Sequence, residues 1–457
     1  MLTFAHLSDI HFSPRDGPSQ FDIDQQIRRA LLEDIARRPA DAADYDGVLI
    51  TGDIAFGGKQ SDYKQAQAWL DELFNQTGTS AANTYVVPGN HDVDRDYVQP
   101  ALPLWDSHVR LRDSAEPVVW RDAIAKQLQK DPLHSLLAPL KGYNDFAQGY
   151  GCRTEPDKLA WQRVFEKTLD DGRAVRLHGL NSALLSDEGD APGKLLVSEF
   201  QTSHFAHTPG AVDVVLCHHP PEWLMDRATV RDALRAFAQV VLFGHEHSTR
   251  VVPDNKHVQL FAGAVQPSRR DPSDWLPTYH IVQLAVHVAG PQPELIVRIH
   301  TREFDKQNYR FRPRRNEDDQ PVEEHRIKIA PWTPPSARVT IPVAASSASD
   351  MSSATANLEP HAEPAMPTPA ETAQRELLVN FFRMRTPDRY AAANEAGLLR
   401  DGDDALQPQA MWAEVFRRAA DEQGRLAKFW AAVASRTPML SDIPNPFSTQ
   451  DYASTPD

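Results

Sequence analysis

The sequence predicts an α/β fold followed by a small all-α C-terminal domain, and three observations carry the prediction. Short apolar runs rich in β-branched or aromatic residues recur between Thr3 and Thr301, each closed by polar or glycine residues. A long interval among them shifts to helical spacing. A proline-, alanine-, serine- and threonine-rich stretch then separates these runs from a last segment of helical periodicity.

Residues 3–7, 47–51, 84–87, 212–217 and 239–243 read as buried strands. Each leads into a polar cluster: Asp9-Ile10-His11, Gly52-Asp53, Gly89-Asn90-His91-Asp92, His218-His219-Pro220 and Gly244-His245-Glu246-His247. In a sheet with buried strands, side chains from separated segments meet at the strand ends, so five such ends predict one site. Carboxylate, imidazole and amide oxygen without thiolate suit a borderline or hard divalent ion, Mn, Fe or Zn, rather than a structural zinc staple. Seven potential ligands, Asp9, His11, Asp53, Asn90, His218, His245 and His247, exceed one tetrahedral shell. Two ions about 3.5–4 Å apart, sharing a carboxylate, would use them all and suit displacement at phosphorus.

The order of these clusters resembles the calcineurin-like metallophosphoesterases from about Met1 to Arg302. The resemblance implies the two-sheet αββα sandwich of that family. It also implies that Asp9, His11 and His247 hold one metal, that Asp53 bridges, and that Asn90, His218 and His245 hold the second. His91 would stay off the metals and protonate the leaving group, with Asp92 as a partner for its ring. In His218-His219-Pro220-Pro221 the first histidine is the expected ligand and His219 the fallback. The family's second motif often continues to another acidic residue, where this chain reads Gly52-Asp53-Ile54-Ala55-Phe56. A phosphodiester is the substrate class that most needs a leaving-group acid. A small nucleotide or cyclic nucleotide is the first expectation, a nuclease the second, and a scaffold with little turnover the alternative of another class. His6, His178, His204, His207, His257 and His280 lack the spacing and are expected in the core, in strands or at the surface.

Residues 94–171 place Ile124 with Leu128, then Leu133, Leu136, Leu137 and Leu140, with Trp105, Trp120, Tyr143, Phe146 and Trp161 nearby. This reads as a mostly helical insertion, either a cap over the site or a packing layer on the sheet. Residues 174–180, 257–262, 280–286 and 294–301 are further strand candidates, which completes a domain over 1–330. The stretch 331–371 is a linker, because after Val343 it has almost nothing large to bury. Over 372–440, Leu377, Leu378, Phe381 and Phe382, then Trp412, Phe416, Ala419 and Ala420, then Leu426, Phe429, Trp430 and Val433 predict a small helical domain, with 441–457 as a tail. Pro387, Gly397, Pro408 and Gly424 punctuate it. With Ala396-Gly397-Leu398-Leu399 and Phe416-Arg417-Arg418-Ala419, this segment resembles the effector-associated, death-fold-like adaptor domains of bacterial conflict systems. The resemblance implies a protein partner.

The chain has 457 residues and a net charge of −15, so general attraction to a nucleic-acid duplex is not expected. No apolar stretch approaches a membrane span, and the N-terminus enters a strand directly, so no membrane partner is expected. Two cysteines, Cys152 and Cys217, suggest no disulfide framework, and a reducing cytoplasm is the default location.

Overall fold

The computed structural model describes residues 1–13, 23–37, 44–99, 103–113, 123–126, 128, 136–208, 210–266, 276–288, 290, 292–332, 377, 381, 384, 386–400, 408–421, 425–437 and 445–447. The chain forms two compact units, Met1–Pro342 and Val343–Asp457.

The strands of the first unit, numbered in chain order, form two mixed sheets. In one, β1 (Leu2–Leu7), β2 (Gly47–Ile50) and β3 (Thr84–Val86) run parallel, with His6 opposite Leu49. On the other side of β1 lie antiparallel β10 (Thr278–His287), β11 (Glu294–Asp305) and β12 (Arg310–Pro313), and β13 (Glu323–Lys328) also pairs with β11. Helices Ile23–Arg37 and Gln60–Thr77 are the crossovers that parallel neighbours require. Asp34 pins the first of them to the sheet, accepting from Arg302 Nη2 at 2.6 Å and from the Tyr279 hydroxyl at 2.8 Å.

The second sheet has the order β4 (Trp161–Thr168), β5 (Ala174–Leu180), β6 (Ala211–Cys217), β7 (Val240–Phe243), β9 (Val258–Phe261) and β8 (Arg250–Pro253). β5, β6, β7 and β9 run parallel. Their side chains alternate between two apolar layers. Val214, Leu216 and Leu242 join the main core with residues of the first sheet, while Val215, Cys217 and Phe243 pack under helix Arg227–Phe237 through its Val230 and Leu234. Burial on both faces explains why these strands read as continuous apolar runs. Cys152 and Cys217 are buried and free.

The interval 94–171 is only partly helical. Helices Pro103–Asp113 and Lys141–Ala147 are present, and Ile124, Leu128, Leu136, Leu137 and Leu140 join the main core, whereas Trp120 and Leu133 lie outside the described residues. Trp161 departs from the helical expectation, because it opens β4 and packs its indole over the main core. The physical reason is periodicity: Trp161 and Phe165 are four residues apart, which places them on one face of a helix and equally on one face of a strand. Here the tie went to the open edge of β5, against which β4 pairs antiparallel.

In the second unit, helices Thr386–Glu395, Pro408–Asp421 and Arg425–Ala434 enclose Leu377, Phe381, Trp412, Phe429, Trp430 and Val433. The Phe381 ring lies 5.1 Å from those of both Trp412 and Phe429. Gly397, at φ +68°, ends the first of these helices in the left-handed region that side chains other than glycine disfavour. Residues 333–371, where the linker is expected, lie outside the described residues, as do Leu378, Phe382 and Gly424.

Candidate metal centre

The parallel strands of both sheets deliver their C-terminal ends to one place. β1 leads to Ser8 and Asp9, β2 to Gly52 and Asp53, β3 to Asn90 and His91, β6 to His218 and His219, and β7 to His245 and His247. Asp9, His11, Asp53, His245 and His247 all have φ between +52° and +71°. Backbone of this kind is costly away from glycine, and it persists only where the surroundings dictate it, as they do at functional sites. Gly52, at φ +93°, has a second constraint: a Cβ there would lie 2.6 Å from His218 Nδ1.

Around Asp9, His247 Nε2 lies 3.2 Å and His11 Nε2 3.9 Å from Oδ1. Ser8 Oγ donates to Oδ2 at 2.5 Å, and the His245 amide donates to it at 3.2 Å. Asp53 is central, with Oδ2 3.8 Å from His11 Nε2 and 3.5 Å from His218 Nε2, and with Oδ1 accepting from the His91 amide at 2.8 Å. Three ring nitrogens surround Asn90 Oδ1: His218 Nε2 at 3.1 Å, His219 Nε2 at 3.2 Å and His245 Nδ1 at 3.1 Å. Ligand-type atoms of Asp9, His11 and His247, of Asp9, Asp53 and His218, of His11, Asp53 and His91, and of His218, His219 and His245 each form a group within 4.8 Å. Asp9 Oδ1 and both ring nitrogens of His11 are buried without a hydrogen-bond partner. Buried polar atoms of this kind call for a partner, and a cation would supply one for Asp9 Oδ1 and for one nitrogen of His11. The residues present therefore fit the metals that the sequence implies.

The electrostatics point the same way. Burial lowers His11 to about 3, with help from His91, and lowers His245 to about 3, with help from His218. Burial would raise Asp53, but the charges of His218 and His91 hold it well below the usual carboxylate range. Burial would lower His218, yet Asp53 and then Asp9 carry it up to about 9, and His247 is likewise raised by Asp9 against its own burial. The carboxylates thus outweigh burial at His218 and His247, whereas at His11, 3.8 Å from Asp53, burial wins.

All seven expected ligands lie in this cluster, and His91 stands at its edge, its ring 4.7 Å from that of His11. His91 Nδ1 lies 2.9 Å from the Phe56 carbonyl oxygen. A carbonyl only accepts, so Nδ1 carries the proton in that bond and Nε2 is the nitrogen left for chemistry. Asp92 has hydrogen-bond partners that the sequence reading did not name. Its carboxylate accepts from the amides of Gly89 and Ala55 at 2.9 Å and from the Tyr63 hydroxyl at 2.8 Å. Burial and the Asp53 charge raise it to about 7. Asp92 ties the loops after β2 and β3 together, because adjacent residues in the short helical turn Asn90–Asp92 project in different directions.

The sequence reading missed Thr51, whose carbonyl lies 2.7 Å from His218 Nδ1, and Ser182, 2.9 Å from His219 Nδ1. It also missed two aromatic neighbours, Phe56 with its ring 5.0 Å from that of His91 and Trp223 at 4.1 Å from that of His245. Only Phe56 left a trace in sequence, standing where an acidic residue is common. Among the six histidines expected elsewhere, His6 is buried at 3.0 Å from Thr51 Oγ1 and His178 meets Asp213 at 2.7 Å, and none of the six falls in a metal-competent group among the described residues.

The family model described as calcineurin-like phosphoesterase matches residues 2–249, and the one described as GTPase-associated adaptor domain matches residues 373–435. The chain is similar to the metallophosphoesterase-like protein YydB of Bacillus subtilis (strain 168), 23% identical over 283 residues, which covers 58% of this chain and 53% of YydB. It thus spans about half the length of that curated relative. Among solved structures it is similar to GAP50 of Plasmodium (10% identity, 72% of this chain and 90% of that one, TM-score 0.36). It is also similar to Vacuolar Protein Sorting 29 of Cryptosporidium parvum (13% identity, 72% and 98%, TM-score 0.30).

Proposed function

Because the chain belongs to the calcineurin-like phosphoesterase family, we propose that it is a two-metal phosphodiesterase acting on nucleotide or cyclic-nucleotide diesters, recruited to a protein partner by its C-terminal helical unit. The observation that supports this most is the convergence of Asp9, His11, Asp53, Asn90, His218, His245 and His247, with His91 beside them and its Nδ1 turned to the Phe56 carbonyl.

In this reading Asp9, His11 and His247 hold one ion, Asp53 bridges, and Asn90, His218 and His245 hold the other. Bound there, the ions would supply the charge that makes hydroxide available near neutral pH and offsets the phosphoryl oxygens. His91 is oriented by its Nδ1–H bond to the Phe56 carbonyl, so its Nε2 presents a proton to the departing alkoxide. Asp53 has a second duty in the same step, since its Oδ1 fixes the His91 backbone and so the distance between acid and ions. A diester rather than a monoester is favoured because its leaving group needs this acid. The net charge of −15 favours a small anion drawn to the local cations over a long duplex.

The test is hydrolysis of bis(p-nitrophenyl) phosphate against p-nitrophenyl phosphate with Mn, with and without chelator, for the wild type and Asp53→Asn. Diester turnover that needs both metal and Asp53 is the expected result. Preference for the monoester would replace the diesterase reading with a phosphatase one. No turnover despite bound metal would favour a scaffold whose adaptor unit carries the function.

A further inference from the structure

Consecutive residues beyond a strand end normally diverge, since successive side chains of extended backbone alternate in direction. His218 and His219, which follow β6, do not. Their rings lie 4.6 Å apart at 86°, and both present Nε2 to Asn90 Oδ1, at 3.1 and 3.2 Å. Each is aimed from behind by a different segment: His218 Nδ1 by the Thr51 carbonyl at 2.7 Å, and His219 Nδ1 by Ser182 Oγ at 2.9 Å. Holding the outer ring nitrogen so that the inner one faces the ion is how proteins orient ligating histidines.

Hydrogen bonding alone cannot account for this arrangement. An amide oxygen has two lone pairs, so Asn90 Oδ1 has no capacity to accept from His218, His219 and His245 together. The Thr51 carbonyl takes the proton of His218 Nδ1, so Nε2 is the nitrogen that His218 presents to the site. Ser182 Oγ, which accepts from the His219 amide at 3.1 Å, also meets His219 Nδ1 at 2.9 Å, so Nε2 is again the nitrogen turned to the site. Three imidazole nitrogens gathered within 3.2 Å of one amide oxygen are the donor set that a shared cation would hold. Ligand atoms 2.0–2.2 Å from one ion lie roughly 3.0–3.5 Å from each other, which is the spacing seen here.

We propose that His219 is itself a ligand of the second ion, so that this position is a three-imidazole site, from His218, His219 and His245 with Asn90 and Asp53, that selects zinc or iron over manganese or magnesium. The inference rests on the metal-dependent reading above. It sets the two positions apart, because the first, with Asp9, His11, His247 and Asp53, is richer in carboxylate and accepts harder ions. Ser182 is then a positioning residue for His219.

The full chain, stripped of metal and loaded with Co(II) alone, tests this. The wild type should bind two ions and show five hyperfine-shifted, exchangeable imidazole N–H resonances, from His11, His218, His219, His245 and His247. His219→Ala should keep the first ion and lose affinity for the second by about 10²-fold or more, beyond what removing a supporting hydrogen bond usually costs. In competition, zinc should displace manganese at one of the two wild-type positions before the other. Four resonances in the wild type would overturn the assignment whether or not His219→Ala folds, and so would unchanged second-ion affinity in a folded variant. A wild type that binds no ion would instead overturn the two-metal reading itself, a result distinct from a wild type that binds two ions through four imidazoles.

Discussion

Two clusters in the first unit are built from the same residue types and sit at similar depth, yet they finish differently. At the strand ends, Asp9, Asp53, Asn90 and six histidines crowd together, and Asp9 Oδ1 and both His11 nitrogens lack a hydrogen-bond partner. Between helix Pro103–Asp113 and the turn after β5, Asp187 instead takes His108 Nδ1 at 2.9 Å, Arg112 Nη1 at 2.7 Å and the Gly189 amide at 2.7 Å. The second cluster closes most of its charge within the chain and acts as a fastener. The first instead gathers its ligand atoms into groups within 4.8 Å that could hold a metal ion. A histidine–aspartate cluster is therefore read for function by whether its ligand atoms converge on one another or meet a cation of the chain such as Arg112, since buried atoms without a hydrogen-bond partner occur in both, His108 Nε2 and Arg112 Nε among them.

If the comparison is right, substitutions should separate catalysis from stability along the same line. The largest effect is expected at His91. His91→Asn should lower diester turnover by roughly 10²–10⁴-fold, with metal content unchanged, as loss of a general acid does. The loss should shrink with leaving groups that need no proton, so a uniform loss across a leaving-group series would remove His91 from that role.

Chelation comes next, since it acts on the open cluster alone. With free ion at 100 times its Kd, one bound ion stabilises the fold by about 2.7 kcal/mol, so stripping the metal should lower Tm by several degrees. A melting curve indifferent to chelator would show that the cluster is complete without ions.

Arg112→Ala addresses the fastener. It strands the buried Asp187 carboxylate, for which a cost of about 3–5 kcal/mol is usual, and should leave metal stoichiometry intact. Denaturant unfolding beside metal analysis would check both halves of this expectation, and lost metal with retained stability would reverse the comparison.

The smallest effect is one of pH. Asp190, at the rim of the fastener, is pushed by burial up to about 7 from an ordinary 3.8, with Arg112 only partly opposing. Between those values the folded chain holds a proton that the unfolded chain has released, so stability falls as pH rises from 4 to 7 and levels off above. Asp190→Asn has nothing to ionise. It should gain on the wild type by on the order of 1–3 kcal/mol between pH 4 and pH 8, and parallel stability profiles would refute the shift.

Much of the first unit was legible in the letters because its parallel strands are buried on both faces and end in the polar residues they deliver. The predicted runs at 47–51 and 212–217 correspond to β2 (Gly47–Ile50) and β6 (Ala211–Cys217). The edges were harder to see. Strands Arg250–Pro253 and Glu323–Lys328, the first only four residues long and the second mostly polar, are largely exposed or half-buried and acquire their form from the neighbour they pair with. Periodicity alone left Trp161 and Phe165 open to two readings, and the free edge of β5 decided between them.

The sequence by itself determined which residue types could meet and in what order, because a motif at a strand end is a local property of the chain. Tertiary structure alone decided where each atom points. It joined Asp92 to Tyr63, set the Phe56 carbonyl behind His91, and brought Thr51 and Ser182 behind two adjacent histidines. Those partners are 29 to 167 residues apart in the chain, and Gly52 fits beside His218 only because it lacks a Cβ. Contacts at that separation follow from how the two sheets pack, for which short-range spacing in the sequence carries no signal.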